Sequence, residues 1–127
     1  VDDNELNRDV AKFLLEDNGI KVEEAENGQE AVDKFCASKP GYYDAILMDI
    51  MMPGLNGWEA TEKIRAMKRW DAERVSIIAL SANSFADDIV SSKLAGMDTH
   101  LSKPLDEKKL LETIKQCLSK HMNDKKL

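Results

Sequence analysis

Long hydrophobic runs, basic clusters and cysteines are all scarce in this sequence of 127 residues. No apolar stretch approaches the roughly 18–20 residues that a membrane-spanning helix needs, and we expect no signal peptide. The net charge is −6 and no basic stripe is present, which argues against nucleic-acid binding. These absences predict a domain that contacts neither a membrane nor a nucleic acid.

Cysteine is limited to Cys36 and Cys117, which both fall within the apolar patterns of predicted helices. We therefore predict buried free thiols rather than a disulfide or a metal-binding pair. Free thiols are typical of a reducing compartment, so by default we predict a cytoplasmic location. The two histidines, His100 and His121, lack the spacing of a ligand pair.

The chain is long enough for one domain with an ordinary core, and it shows no internal repeat or low-complexity linker. Strand-like and helix-like segments alternate along it. Predicted strands cover residues 21–25, 45–48, 76–80 and 99–102, and predicted helices cover 5–17, 58–68, 85–95 and the segments after Gly28 and Asp106. This alternation predicts parallel strands, right-handed crossovers and helices on both faces of the sheet.

The first predicted helix has Asn4 as its N-cap and an apolar stripe made of Leu6, Val10, Phe13 and Leu14. Amphipathic helices of globular proteins turn such a stripe toward the core. The pattern therefore predicts an amphipathic helix over this segment.

Asp49 follows the short apolar run 45–48, which is typical of a strand buried on both faces. An ionised carboxylate at the end of such a strand is costly unless a charge compensates it. In open parallel sheets, sites form at the carboxyl ends of the strands. Polar side chains stand at four such ends, namely Asp2 with Asp3, Asp49, Ser81 and Lys103.

These residue types favour metal-assisted phosphoryl chemistry. Each pair of carboxylates within about 5 Å costs about 3 kcal/mol at an effective dielectric near 20, and a hard cation removes that cost. Carboxylates without a histidine cluster argue for Mg²⁺ or Mn²⁺ over zinc. With metal bound, Asp49 could attack phosphorus as a nucleophile, while the metal and Lys103 neutralise the phosphoryl oxygens and Ser81 donates a hydrogen bond to one of them.

From residue 1 to about residue 120 the chain resembles a response-regulator receiver domain. The motifs that carry this resemblance are Asp2-Asp3, Asp49 with Met52-Pro53 and Gly57, Ser81-Ala82, and Lys103-Pro104. The resemblance implies a doubly wound, flavodoxin-like α/β fold with five parallel strands in the order 2-1-3-4-5 and helices on both faces. Residues 121–127 would form a tail outside the receiver domain.

The resemblance also implies a role for each site residue. Asp49 would be the phosphoacceptor, and Mg²⁺ would be bound directly by Asp3, with Asp2 helping partly through water and the backbone carbonyl of Met51 as a third protein ligand. Lys103 would bind the phosphoryl group, and its peptide bond to Pro104 would be cis. Ser81 would turn inward when the phosphoryl group arrives. One departure is His100, which stands where many receivers carry a rotating Tyr or Phe.

Within the family, segments 79–83 and 96–104 resemble receivers attached to hybrid sensor histidine kinases. The resemblance implies a phosphoryl group accepted from a phosphohistidine and then relayed, or used to change conformation. The expected partners are a histidine kinase, which could be the parent protein, and a helical histidine phosphotransfer domain. Such partners would dock on the exposed face of residues 4–17, including Leu6 or Asn7, and on the loop at Pro104 and Leu105.

Two other functional classes remain open. A metal-dependent phosphatase that uses Asp49 would normally want a second acid beside the nucleophile, and Ile50 and Met51 stand there instead. A degenerate receiver that acts only as a binding module is opposed by the intact acids, serine and lysine. We expect a switch that catalyses only its own phosphorylation and dephosphorylation, and not an enzyme acting on other substrates.

The chain starts at Val1-Asp2-Asp3, so nearly all of the first predicted strand is absent from the sequence. In a doubly wound sheet that strand is central, and its loss would expose two strand edges. Residues 122–127 resemble the start of a receiver just before its first strand. We therefore hypothesise that this segment belongs ahead of Val1, through circular permutation or a displaced numbering of the chain.

Overall fold

The computed structural model describes residues 1–82 and 86–125, and over these residues helices alternate with strands as predicted. The helices are α1 (Glu5–Glu16), α2 (Gly28–Ala37), α3 (Gly57–Arg65), α4 (Ala86–Ala95) and α5 (Glu107–Lys125). The strands are β1 (Ala45–Asp49), β2 (Ser76–Ser81) and β3 (Thr99–Ser102). They correspond to the predicted third, fourth and fifth strands.

The three strands form one parallel sheet in the order β1-β2-β3. Every residue of the central strand β2 is buried. Successive side chains of a strand point to opposite faces, so Ile77 and Ala79 pack with α2 and α3, whereas Ile78 packs with α1 and α5. Helices therefore cover both faces, which confirms the doubly wound α/β prediction.

The described residues form three strands rather than the predicted five. Val1 and Asp2 nevertheless lie where the first strand was expected. The Val1 amino group donates to the carbonyl of Leu47, and the amide nitrogen of Asp49 donates to the carbonyl of Val1, at 2.6 and 2.9 Å. On the other side, the amide nitrogen of Asp2 lies 3.2 Å from the carbonyl of Ala25. Within the described residues, segment 21–25 forms no strand, although it was predicted to be one.

A cleft of about 1010 Å³ opens beside β1. Apolar side chains of both core clusters line it, with Phe35 and Ile46 from one face of the sheet and Leu15 and Ile114 from the other. Residues 122–125 continue α5 and so do not begin a strand here, and residues 126–127 lie outside the described part. The hypothesis of a displaced segment 122–127 stays a prediction.

On α1, Leu6 and Phe13 are 70% and 69% exposed, whereas Leu14 of the same stripe and its neighbour Leu15 pack with Ile78 and Ile114. The stripe therefore extends from the core to the outer side of the helix. The predicted burial of both cysteines was wrong. Cys36 is exposed and Cys117 is half-buried, although both thiols are free as predicted.

Two arginines hold the loops at the amino end of the sheet. The guanidinium of Arg65 donates to the carbonyls of two loops and to the Asp98 carboxylate, 2.9 Å away. Arg69 makes a bidentate pair with Asp71, at 2.6 and 2.9 Å, and lies over the ring of Phe35. Within the described residues, no helix is long and apolar enough to cross a membrane.

Candidate functional site

Asp49 ends β1 and is only 4% exposed. Its Oδ1 atom accepts a hydrogen bond from the amide nitrogen of Met51, at 3.3 Å. Its Oδ2 atom lies 3.1 Å from the ammonium nitrogen of Lys103. The carboxylate that the sequence singled out is thus buried and ion-paired at the carboxyl end of the sheet.

The loop after Asp49 returns to the strand end at Gly57. The Gly57 amide nitrogen donates to the carbonyl of Ile50, at 3.0 Å, and a Cβ atom at this position would clash with the backbone carbonyl of Asp49. Only glycine permits this close approach of two backbones. The hydroxyl of Thr61 then donates to the Gly57 carbonyl, at 2.8 Å, and fixes the start of α3. This packing holds the backbone that carries Asp49.

Asp2 and Asp3 stand on the turn that leads into α1. Asp2 is 4% exposed, and its Oδ1 atom accepts from the amide nitrogen of Asn4, at 2.9 Å, whereas Asp3 is exposed. Asn4 in turn caps the helix by accepting from the amide nitrogen of Asn7, at 3.0 Å, as predicted. Carboxylate oxygens of Asp2, Asp3 and Asp49 all lie within 4.8 Å of one another.

Lys103 connects these acids to the end of β3. Its ammonium nitrogen lies 3.0 Å from Asp2 Oδ2 as well as 3.1 Å from Asp49 Oδ2. Its amide nitrogen donates to the carbonyl of Ser81, at 2.8 Å, which fixes the lysine to the end of β2. The bond between Lys103 and Pro104 is cis, which confirms the prediction.

Burial and the shared ammonium set the protonation of the three groups. Burial raises the pKa of Asp49, and the nearby Lys103 offsets only part of that rise. Burial also acts to raise the pKa of Asp2, but hydrogen bonds from the Asn4 amide and from Lys103 outweigh it, so that pKa is lowered. For Lys103, burial acts to lower the pKa, and the two carboxylates outweigh it, so the pKa is raised. The pKa values of the two buried acids are therefore shifted in opposite directions, and the charge of Asp49 is less well compensated than that of Asp2.

The donor set fits a hard divalent cation. Three carboxylates close together and one lysine leave an excess of two negative charges when all are ionised. Mg²⁺ prefers oxygen ligands and keeps several of its waters, so a few carboxylates at the surface of a cleft suffice. Asp2, Asp3 and Asp49 could hold such an ion. Met51 follows in the same loop, and the part assigned to its carbonyl stays a prediction.

Ser81 and His100 lie on the neighbouring strand ends. Ser81 is buried at the end of β2 and pairs in register with Ser102 of β3. His100 pairs with Ala79 in the same ladder and is half-buried. Direct contacts thus join Lys103 to Asp2 and Asp49, whereas Ser81 is joined to Lys103 through the backbone.

Arg8 is a site residue that the sequence reasoning missed. Its guanidinium nitrogen Nη1 donates to the backbone carbonyl of Asp2, at 2.7 Å. The only signal in the sequence is an arginine in the first turn of a helix that starts beside two acids. Many arginines on exposed helices have that spacing, so the pattern alone did not distinguish this one.

Comparison with known proteins agrees with this geometry. The chain is 41% identical, over 118 residues, to a sensor protein GacS of Pseudomonas syringae pv. syringae, and 38% identical to a hybrid signal transduction histidine kinase L of Dictyostelium discoideum. The matches cover 90% and 91% of this chain but only 12% and 7% of those proteins. The chain therefore spans a small part of the curated relatives that it matches.

Solved structures of signalling proteins also resemble this chain. The receiver domain of the sensor histidine kinase PA1611 from Pseudomonas aeruginosa PAO1, which has a magnesium ion in its active-site cleft, is 35% identical with a TM-score of 0.84. That likeness covers 94% of this chain and 93% of the other. The chemotaxis protein CheY4 of Vibrio cholerae is 27% identical, also with a TM-score of 0.84, over 92% and 93% of the two chains.

The fold and the acidic site thus define an α/β signalling domain of the CheY-like class. The family model for the response regulator receiver domain matches residues 1–115, and the chain belongs to that family. It is a receiver domain of two-component signalling, and its relatives include hybrid sensor histidine kinases, as the sequence predicted.

Substitutions of Asp49 and Lys103, the two partners of one ion pair, should change stability in opposite directions. Asp49→Asn should raise the thermal midpoint of the metal-free protein at pH 7, because it removes a carboxylate whose pKa is raised by burial. Lys103→Ala should lower the free energy of unfolding by about 3 kcal/mol, the low end for breaking a buried ion pair, because two buried acids lose a counter-charge that is itself partly exposed. Thermal and urea unfolding in EDTA would measure both changes.

The pH dependence provides a check on the cause. Because the pKa of Asp49 is raised in the folded state, its ionisation destabilises that state at high pH. The stability gained by Asp49→Asn should therefore shrink as the pH falls toward 3.8, the ordinary pKa of an aspartate. Asp44→Asn is a matched control, because Asp44 is exposed just before the other end of β1. A loss of stability in Asp49→Asn, or an equal gain in Asp44→Asn, would contradict this account.

Proposed function

We propose that this domain is a phosphoacceptor switch that receives a phosphoryl group on Asp49 from a partner phosphohistidine, with Mg²⁺ as cofactor. The observation that carries the proposal is the contact of the Lys103 ammonium with both Asp2 and Asp49, with Asp3 alongside. The magnesium ion in the cleft of the PA1611 receiver supports the metal assignment.

In the proposed transfer, a carboxylate oxygen of Asp49 attacks phosphorus and forms an O–P bond. The N–P bond to the partner imidazole breaks, its electron pair stays on the ring nitrogen, and that nitrogen takes up a proton. Bound Mg²⁺ supplies charge neutralisation for the phosphoryl oxygens. Lys103 already lies 3.1 Å from the accepting carboxylate, so its ammonium can bind an oxygen of the phosphoryl group once the group is attached to Asp49.

A phosphatase that acts on other substrates is less well supported. Such an enzyme needs a free acid next to the nucleophile to protonate a leaving group. The buried acid nearest in space is Asp2, and its two oxygens are already engaged by Asn4 and Lys103. A receiver without phosphorylation is disfavoured because Asp49, Lys103 and the other acids are assembled at one site.

Phosphorylation should occur on Asp49 and require a divalent cation. Incubation with acetyl phosphate and Mg²⁺ should add one phosphate, seen as an increase in intact mass, and Asp49→Asn should abolish it by removing the nucleophile. Asp3→Asn should raise the Mg²⁺ concentration needed for half-maximal labelling by about tenfold, within the range for loss of a coordinating or supporting group.

Asp44→Asn serves as the control for loss of an aspartate elsewhere, and it should be labelled like the wild type. Equal labelling of Asp49→Asn, or full labelling of the wild type in excess EDTA, would refute the proposal. Continuous release of phosphate without a phosphorylated protein would instead favour the phosphatase.

Ser81 is proposed to read the phosphoryl group and to bias the loop that leads into α4. A tryptophan reports on α4, because the Trp58 indole nitrogen donates to the Ser92 hydroxyl of that helix, at 3.0 Å. Trp70 is exposed and would contribute background fluorescence. A Trp70→Phe background therefore isolates the signal of Trp58.

In that background, Ser81→Ala should still be phosphorylated but should lose most of the fluorescence change of Trp58, because the hydroxyl gains its phosphoryl hydrogen bond only after transfer. Ser81→Thr should keep the change, since it retains a hydroxyl. The measurement is Trp58 emission before and after acetyl phosphate addition. An identical response in Ser81→Ala and wild type would exclude this role.

The proposed partner is a histidine phosphotransfer or kinase domain that docks through helices. An apolar stripe of Leu6, Val10 and Phe13 is exposed on α1, whose N-terminus is next to Asp2 and Asp3. Met51, in the loop after Asp49, is also exposed. Exposed apolar side chains beside a reactive carboxylate suit a helical partner that must bring its histidine to Asp49 and then leave.

Replacing Leu6 and Phe13 together by serine should slow transfer from a phosphorylated phosphotransfer domain by about tenfold, as expected for loss of apolar anchors. Labelling by acetyl phosphate should be unchanged, because neither residue contacts the site acids. Rapid-quench transfer kinetics would measure the first effect and intact mass the second.

Leu94→Ser is the matched control, because Leu94 is 84% exposed on α4, away from α1. It should transfer like the wild type. The opposite pattern, with normal transfer in the α1 variant and loss in Leu94→Ser, would place the docking surface on α4 instead.

A further inference from the structure

Arg8 reaches the acidic site without contacting a carboxylate of the cluster. Its side chain is only 13% exposed, and its Nη1 atom donates to the backbone carbonyl of Asp2, at 2.7 Å. On the other side, its Nε atom lies 3.7 Å from Glu24 Oε1. The guanidinium therefore joins the turn before α1 to the segment that precedes α2.

The carbonyl that Arg8 holds belongs to the peptide unit between Asp2 and Asp3. A peptide unit is planar, so the direction of that carbonyl fixes the plane from which the Asp3 backbone continues. Asp2 is also held by its amide, which donates to Ala25, and by its carboxylate, which accepts from Asn4. Among the described residues, none makes a comparable hydrogen bond to the exposed side chain of Asp3, so its position depends on this peptide plane.

Because Glu24 balances the charge of Arg8, the contribution of Arg8 to the site is structural rather than electrostatic. The carboxylate of Glu24 lies 3.7 Å from both Arg8 and Lys12, and its backbone carbonyl accepts from the Lys34 ammonium. The positive charge of Arg8 is thus balanced from the side away from the acids. What Arg8 supplies to the site is a fixed hydrogen-bond donor on a half-buried backbone.

We propose that Arg8 is a positioning residue for the divalent cation, because it orients the turn that presents Asp2 and Asp3 toward Asp49. The inference rests on the proposed Mg²⁺-dependent function of this site. Groups that orient metal ligands typically change metal affinity by about 10–100-fold when removed. Arg8 acts through one backbone carbonyl, so an effect near the lower end of that range is expected.

Whether removal of Arg8 weakens or strengthens Mg²⁺ binding distinguishes a positioning role from a purely electrostatic one. If Arg8 acted only as a positive charge near three acids, its removal would strengthen Mg²⁺ binding, because cation and guanidinium repel. If it positions the turn, its removal weakens Mg²⁺ binding. Lys12→Ala is the matched control, because Lys12 is also a cation of α1 paired with Glu24 and no hydrogen bond joins it to Asp2.

Titration of the full chain with MgCl₂ by isothermal calorimetry tests the proposal. Arg8→Ala should raise the Mg²⁺ dissociation constant about tenfold, Arg8→Lys should recover part of the loss, and Lys12→Ala should change it little. Acetyl phosphate labelling should shift in Arg8→Ala to higher Mg²⁺ concentrations, in step with the dissociation constant. Should Arg8→Ala unfold, Arg8→Met keeps the aliphatic stem without a hydrogen-bond donor and should show the same weakening.

Unchanged or tighter Mg²⁺ binding in Arg8→Ala, with normal binding by the wild type, would overturn this inference and leave the proposed function standing. So would unchanged or tighter binding in Arg8→Met if Arg8→Ala does not fold. Absence of Mg²⁺ binding by the wild type would overturn both the inference and the metal-dependent function.

Discussion

A single ammonium group shared by two buried carboxylates is the interaction on which this structure depends. Lys103 lies 3.0 and 3.1 Å from Asp2 and Asp49, and so joins the turn before α1, the end of β1 and the end of β3. Two carboxylates brought this close without a counter-charge would repel by several kcal/mol. One lysine offsets only part of the charge of three acids. The remaining negative charge is the physical basis of the proposed cation site.

The rest of the fold keeps this unfavourable charge arrangement in place. Gly57 lets the loop after Asp49 close onto the strand end, and Ser81 anchors the backbone of Lys103. At the opposite end of the sheet, Arg65 and Arg69 fasten the loops with multiple hydrogen bonds. The charged, partly open site therefore lies at the end of the sheet opposite to the loops that these arginines hold.

Sequence patterns located the acids and the lysine because strand ends are easy to read. A short apolar run that stops at Asp49, and another polar residue at the end of each neighbouring strand, place those groups at one edge of a parallel sheet. Periodicity shows that a helix has an apolar side but does not show how much of that side the core covers. Leu6 and Phe13 are exposed although they belong to the apolar stripe of α1, and Leu15 is buried. Cys36 was mispredicted as buried for the same reason.

The sequence by itself determined the α/β class, the order of elements and the types of residue available for chemistry, because these follow from local periodicity and from the parallel-strand rule. Only the tertiary structure decided which groups touch. It places one ammonium between Asp2 and Asp49 and directs the guanidinium of Arg8 to a backbone carbonyl. It also places Val1 and Asp2 between β1 and segment 21–25. Such contacts join residues far apart in the chain, and their distances depend on how whole helices and strands pack, which no local pattern records.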